Sequence, residues 1–316
     1  MCTAQVKSVN LLFFRTKIKK MKNIAVLGAG VLGSQVAWQA AFHGMNVSVY
    51  DISPEALQKA KEKHREFAAL FRERYGAAEE AAENALNRIR YFENLAEAVQ
   101  DADITSESVP EVLEIKKDFY RKLAAVAPEK TIFTTNSSTM IPSMFSQETG
   151  RPEKFLAMHF ANPVWEANIA EVMGHAETQK AVFDAVVGFT REMGMVPVPL
   201  YKEQPGYVIN SLLSPFLSAA ANLYFNGVAD YKTIDKTWMI STGARSGPFG
   251  IMDLVGMQTM YNVMMLKAKQ TGNPDALKRA EAIKTQFIDK GKMGIASGEG
   301  FYRYPNPAYK DPDFLK

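Results

Sequence analysis

His159 and Glu171 stand twelve residues apart in LAMHFANPVWEANIAEVMG (156–174), each inside a short apolar run that favours burial. The runs are LAMHF and NIAEVM, and a turn at Asn162-Pro163 joins them. An imidazole beside a buried carboxylate can be a satisfied core pair. It can also be an acid/base dyad, in which the carboxylate orients the ring and stabilises its protonated form. The other three histidines have no partner implied by sequence. His43 precedes Gly44 at a helix end, where a cation suits the dipole. His64 lies in a charged helical stretch and His175 follows Gly174.

A proton acceptor on a strand end gains meaning beside a nucleotide site. LGAGVLGSQ places Gly28, Gly30 and Gly33 in a G-x-G-x-x-G pattern, directly after the apolar run NIAVLG (23–28) and at the opening of a helix. Gly28 permits the tight turn, Gly30 leaves room for a pyrophosphate, and Gly33 lets the helix pack on the strand. Val31 and Leu32 stand with them at the helix N-terminus, whose amides bind anions. Asp51 closes the next run, NVSVYD (46–51), where a carboxylate can accept from an adenosine ribose. Ile52-Ser53-Pro54 offers no arginine for a 2′-phosphate. The cofactor indicated is NAD, not NADP.

The elements that must hold these groups alternate. Apolar runs at 102–107, 131–136, 155–160, 169–173 and 195–200 read as strands, with helices at 31–43, about 111–126 and 177–193. A charge-dense region from Ser53 to about Arg90, broken near Tyr75-Gly76, reads as a helical hairpin. After about residue 204 the chain reads as helical, with no convincing strand. The fold class predicted is α/β: a Rossmann-type doubly wound sheet with a helical-hairpin insertion, followed by an all-α C-terminal domain. The expected domains are a nucleotide-binding one over 21–203 and a helical substrate and dimerisation domain over 204–316. Residues 1–20 read as a disordered or dispensable extension, because Met21-Lys22 stands directly before the first strand.

Composition narrows the partners. Five of the chain's cations and none of its acids lie in residues 1–20, so the remainder is slightly acidic despite a formal net charge of +3. No basic stripe remains for nucleic acid. No apolar run is long enough to span a membrane. The single cysteine, Cys2, excludes an intrachain disulfide framework and fits a reducing, cytoplasmic setting. A small-molecule substrate is the partner left, with no metal indicated.

The chain resembles the L-3-hydroxyacyl-CoA dehydrogenase family from Lys22 to about Tyr304. The likeness rests on His159-Phe160-Ala161-Asn162-Pro163 with Glu171, on Glu107-Ser108-Val109-Pro110-Glu111, and on Thr135-Asn136-Ser137-Ser138-Thr139. It continues in Pro205-Gly206-Tyr207-Val208-Ile209-Asn210, where the family carries Phe in place of Tyr207. Gly247-Pro248-Phe249 with Asp253, and Gly298-Glu299-Gly300-Phe301-Tyr302, complete the set. The resemblance implies that His159 takes the proton of a substrate 3-hydroxyl while Glu171 holds the imidazole. It implies that Ser138 bonds the same oxygen, that Asn210 contacts the substrate carbonyl region and that Asn162 supports the site. Glu107 and Asn136 join the cofactor-binding set. Ser138 could instead cap a helix, and Asn210 could be local decoration of one.

Departures from the family pattern bear on the substrate. Between the dyad members, Trp165, Glu166 and Asn168 replace the family's residues, so Trp165 is expected to line or flank the pocket. Near the C-terminus two family cations are missing from Lys292 to Gly300, while Lys59, Lys61 and Lys63 remain on the hairpin, where the family contacts the CoA adenosine. The activity expected is NAD-dependent interconversion of a short L-3-hydroxyacyl-CoA and its 3-oxo form. The alternatives are a dehydrogenase of a free 3-hydroxy acid, like the family's carnitine and gulonate enzymes, and a non-catalytic NAD-binding relative. The resemblance further implies a homodimer through the C-terminal domain.

Overall fold

The computed structural model describes residues 20–272 and 274–316, so the extension expected at the N-terminus lies outside the described residues except for Lys20. The chain divides into two compact units between Val208 and Ile209.

The first unit begins β1 (Asn23–Leu27), α1 (Val31–Phe42), β2 (Asn46–Tyr50), α2 (Pro54–Tyr75), α3 (Glu79–Asn87), β3 (Ile89–Phe92) and α4 (Leu95–Val99). It continues β4 (Ile104–Glu107), α5 (Leu113–Val126), β5 (Phe133–Thr135), β6 (Phe155–Phe160), β7 (Ile169–Met173), α6 (Lys180–Glu192) and β8 (Val196–Leu200). The sheet order is β3-β2-β1-β4-β5-β6-β7-β8. All neighbours pair in parallel except β6 and β7, which run antiparallel. β1 shows why the apolar runs are continuous. Ile24 and Val26 join a core with α1, α2 and α6, while Ala25 and Leu27 join a second core with α4 and α5.

The helical hairpin is present, but the helical reading to Arg90 is corrected. Helix α3 ends at Asn87, and Ile89–Phe92 forms the edge strand, paired with β2. The strand is four residues long, preceded by Arg88 and interrupted by Arg90, so its alternation of buried Ile89 and exposed Arg90 was lost in the charged run. Helix α2 itself is well signalled. Ser53 caps it by accepting from the Ala56 amide, Pro54 opens it, and Gly76 closes it at φ +66°. Its buried residues Leu57, Ala60, His64, Ala68 and Phe71 recur every three or four positions.

His64 is the surprise on that stripe, since the charged context gave it no partner. It is fully buried. Nε2 lies 2.9 Å from the Ser34 carbonyl, which can only accept, so Nε2 carries the proton and Nδ1 accepts from the Tyr91 hydroxyl at 2.6 Å. The ring therefore joins α1, α2 and β3.

The second unit holds α7 (Ile209–Phe225), α8 (Tyr231–Thr242), α9 (Pro248–Val255), α10 (Met257–Thr271) and α11 (Pro274–Gln286). Two buried acids organise it. Asp235 accepts from the Phe249 and Gly250 amides and from the Tyr302 hydroxyl. Asp253 accepts from the Phe301 and Tyr302 amides and the Tyr304 hydroxyl. A Cβ on Gly300 would stand 2.1 Å from Asp253 Oδ1, so the 298–302 segment needs that glycine to reach α9. Among the described residues no helix is long and apolar enough to cross a membrane, and no cluster of ligands could hold a metal.

Burial pushes the His64 imidazole down to about 4, against the opposing pull of the Ser34 carbonyl. The unfolded ring protonates near its ordinary 6.5 while the folded one stays neutral, so stability present above that pH is lost as pH falls towards 4. The difference is worth about 3 kcal/mol. His64→Gln keeps a donor and an acceptor without the charge. Its unfolding free energy, measured by urea denaturation between pH 6.5 and 4, should fall less steeply than the wild type's by up to about 1.4 kcal/mol per pH unit. Identical slopes would refute this.

Candidate active site and cofactor cradle

The turn after β1 is built as its glycines require. Gly28 adopts φ +112°, and a Cβ there would stand 2.6 Å from the Ser108 carbonyl oxygen. A Cβ on Gly33 would meet the Gly28 oxygen at 1.9 Å, so the helix can approach the strand only without one. Gly30 has no atom within 4 Å of its would-be Cβ. That open cradle, beside the amides of Val31, Leu32 and Gly33 that open α1, fits a pyrophosphate. Asp51 stands at the C-terminal end of β2, where Oδ2 accepts from the Ala29 amide at 2.8 Å and Oδ1 from Ser53 at 3.0 Å. Each oxygen keeps a lone pair for a ribose hydroxyl. Val31 and Ile52 beside them are 75% and 83% exposed, an apolar rim available to a flat base.

Below this rim, the ends of β4 and β5 hold two acids of different character. Glu107 is fully buried. Its Oε1 accepts from Lys116 Nζ at 2.6 Å and from the Val109 amide, and its Oε2 from Tyr120 and Thr135. Both oxygens are thus engaged inside the protein, and sequence reading had not found Lys116, itself 1% exposed. Glu111, also missed as a functional residue, gathers the 137–139 turn. Its Oε1 accepts from Ser137 Oγ, the Ser138 amide, and the Thr139 amide and hydroxyl. Partial burial raises the Glu111 carboxyl, but the Ser137 bond, Lys116 and Thr139 together hold it below the usual range. Asn136 accepts from the Phe160 amide and donates to Ser108 Oγ, tying β5 to its neighbours.

His159 and Glu171 are paired residues in the antiparallel register of β6 and β7. His159 Nδ1 lies 2.9 Å from Glu171 Oε2. Glu171 is fully buried, and its Oε1 accepts from the Val208 amide at 2.8 Å. Because an ionised carboxylate only accepts, Nδ1 bears the proton and Nε2 presents a lone pair. Ser138 Oγ stands 3.1 Å from that Nε2. The three side chains come from the 137–139 turn, β6 and β7.

Gln35 on α1 was missed, and it clamps the β6–β7 turn. It donates to Asn162 Oδ1 and accepts from the Val164 amide, both at 2.9 Å. Asn162 therefore braces the turn, preceding Pro163 through a cis peptide bond. Trp165 packs edge-on against Phe67 and Phe71 of α2, with centroids at 4.8 and 5.5 Å. Glu166 pairs with Arg74 at 2.9 Å and accepts from Tyr75. These two substitutions staple the turn to the hairpin. Asn210 lies in the first turn of α7, in the helical unit. Lys59, Lys61 and Lys63 are exposed, and Lys63 pairs with Glu66.

Residues 23–204 match the 3-hydroxyacyl-CoA dehydrogenase NAD-binding domain and residues 206–304 the C-terminal domain of the same family. The chain is 31% identical to human mitochondrial hydroxyacyl-coenzyme A dehydrogenase, covering 90% of this chain and 91% of that one. It is 30% identical to a probable 3-hydroxybutyryl-CoA dehydrogenase of Bacillus subtilis, over 90% and 98%. A solved diketoreductase, described by its substrate-directed dual catalysis of dicarbonyl compounds, is 53% identical with a TM-score of 0.85, over 90% and 100%. The chain belongs to the 3-hydroxyacyl-CoA dehydrogenase family. It is an NAD-dependent oxidoreductase.

Two outcomes follow from these contacts. Asp51→Ala should weaken NADH binding about tenfold or more, through loss of a charged acceptor, and narrow the preference over NADPH. Fluorescence titration with both nucleotides checks it, and unchanged affinities would place the ribose elsewhere. Lys116→Met leaves Glu107 buried without its cation and should cost about 3–5 kcal/mol of stability. Denaturant unfolding of Lys116→Met beside Lys116→Met/Glu107→Gln should show the double variant recovering most of that loss.

Proposed function

We propose that this enzyme interconverts an L-3-hydroxyacyl compound and its 3-oxo form, with His159 as proton acceptor and Glu171 as its partner. The observation that carries the reading is the line Glu171 Oε2, His159 Nδ1 at 2.9 Å, and His159 Nε2 with Ser138 Oγ at 3.1 Å. Bound NAD supplies the hydride acceptor. In the oxidative direction the C3 hydroxyl gives its proton to Nε2, and the buried carboxylate stabilises the imidazolium that forms. Ser138 hydrogen-bonds the same oxygen and holds it at Nε2. In reduction the imidazolium returns the proton. Asn210 serves the substrate carbonyl region and Asn162 braces the turn. Gly28, Gly30, Val31, Leu32, Gly33 and Asp51 hold the nucleotide, with Glu107 and Asn136 shaping the strand ends beneath it.

The substrate proposed first is a short 3-hydroxyacyl-CoA, supported by the family and by the exposed lysines of α2. A second reading keeps the reaction and removes the CoA. It is supported by the 53% likeness to a diketoreductase, and by Trp165 and Glu166, which occupy the hairpin face with apolar packing and a carboxylate. Exposed Leu212, Ile240 and Leu254 support a homodimer through the helical unit.

NADH oxidation should be assayed with acetoacetyl-CoA beside free acetoacetate and an uncharged 3,5-dioxo ester. His159→Ala should lower kcat about a hundredfold or more, and Glu171→Gln by a comparable factor, with NADH affinity unchanged. Turnover of the thioester alone supports the first reading, and turnover of the free compounds alone supports the second. Wild-type turnover in His159→Ala would sink both.

A further inference from the structure

Tyr207 lies flat on the catalytic imidazole. Its ring centroid is 4.4 Å from that of His159, with 18° between the planes. Its side chain is fully buried, packed with Ala157, Met173 and Leu200. The backbone there is unusual: Tyr207 adopts φ +55°, the one positive value among the described non-glycine residues, directly after Gly206 at +82°. A bulky side chain in the left-handed region is strained, and persists only where its surroundings over-determine it. Two contacts do so here. The Tyr207 amide donates to the Gln204 carbonyl at 2.9 Å, closing the turn. The next amide, Val208, donates to Glu171 Oε1 at 2.8 Å.

The strained turn therefore touches both members of the dyad in consecutive residues. We infer that Tyr207 is a positioning residue for proton transfer: its ring fixes the plane of His159 while the following amide fixes Glu171. The physical reason lies in the imidazole itself. The lone pair on Nε2 points within the ring plane, so the plane decides where a proton can be taken. Glu171 and Ser138 hold only the two nitrogens, which leaves the ring free to rock about the axis joining them. A flat aromatic face at stacking distance blocks that rocking. The left-handed backbone is what brings the ring over the imidazole and the next amide onto the carboxylate together.

The inference rests on the dyad reading above, and its test separates the two. Tyr207→Phe keeps the ring, whereas Tyr207→Leu and Tyr207→Met remove its face while keeping apolar bulk. Each is assayed with NADH and the 3-oxo compound that the wild type turns over fastest. Melting temperature and NADH affinity are recorded alongside. In 15N-histidine spectra, the hydrogen-bonded Nδ1 proton of His159 should give a sharp low-field signal in wild type and Tyr207→Phe. The Leu and Met variants should lose about tenfold or more in kcat, with KM and NADH affinity within about twofold, and should broaden that signal. Tyr207→Phe should restore kcat. Folded Leu or Met variants with wild-type kcat and a sharp signal would overturn the inference while leaving the dyad intact. A fall in kcat that only tracks lost folding or lost NADH binding would overturn it as well. Activity independent of His159 would instead remove the reading beneath it, and the histidine signal would still report whether the stack orders the ring.

Discussion

An ionised carboxylate at zero exposure is costly unless each oxygen has a donor. Glu171 meets that condition with one imidazole N–H and one backbone amide. Much of the first unit can be traced to this requirement. The antiparallel pairing of β6 and β7 sets His159 directly opposite Glu171, and a slip of one residue would turn the carboxylate to the other face of the sheet. A sixth parallel strand followed by another parallel crossover would separate the two residues by a helix. The sheet reverses where the dyad forms, and the reversal is fixed by a glutamine from the first helix.

The hairpin has two unlike faces. Outside, its charges pair locally with one another. Inside, His64, Phe67 and Phe71 meet α1, β3 and the β6–β7 turn. The inner face therefore supports the turn that joins His159 to Glu171, and Trp165 and Glu166 are the residues that attach it. Their contacts with Phe67, Phe71, Arg74 and Tyr75 fix the β6–β7 turn to the hairpin.

What the sequence made legible was local. The place of the glycine turn between β1 and α1, of Asp51 after β2, the capped start of α2 and the apolar runs were all legible because each signal fits within a few residues. The His159–Glu171 pairing was legible because the Asn162-Pro163 turn keeps its partners only twelve positions apart. Contacts spanning longer stretches left no trace. Gln35 and Asn162 are 127 positions apart, and Tyr75 and Glu166 are 91. Strand β3 failed for a different reason: as a four-residue edge with Arg88 before it and Arg90 inside it, it has too little alternation to show. His64 looked like another solvated hairpin residue because its partners come from a helix before it and a strand after it.

Three acids of the first unit, Glu107 and Glu171 buried and Glu111 exposed, also illustrate how environment divides one chemistry into different tasks. Glu107 faces an ammonium at 2.6 Å with further donors from Val109, Tyr120 and Thr135, an arrangement that leaves it no lone pair to spare for proton traffic. Glu111 gathers the hydroxyls and amides of a turn, so its charge organises backbone rather than reacting groups. Glu171 alone is matched to a partner that can change its own charge. When His159 is neutral, the pair carries a buried negative charge held by hydrogen bonds. When His159 gains a proton, the pair becomes an ion pair and that charge is neutralised.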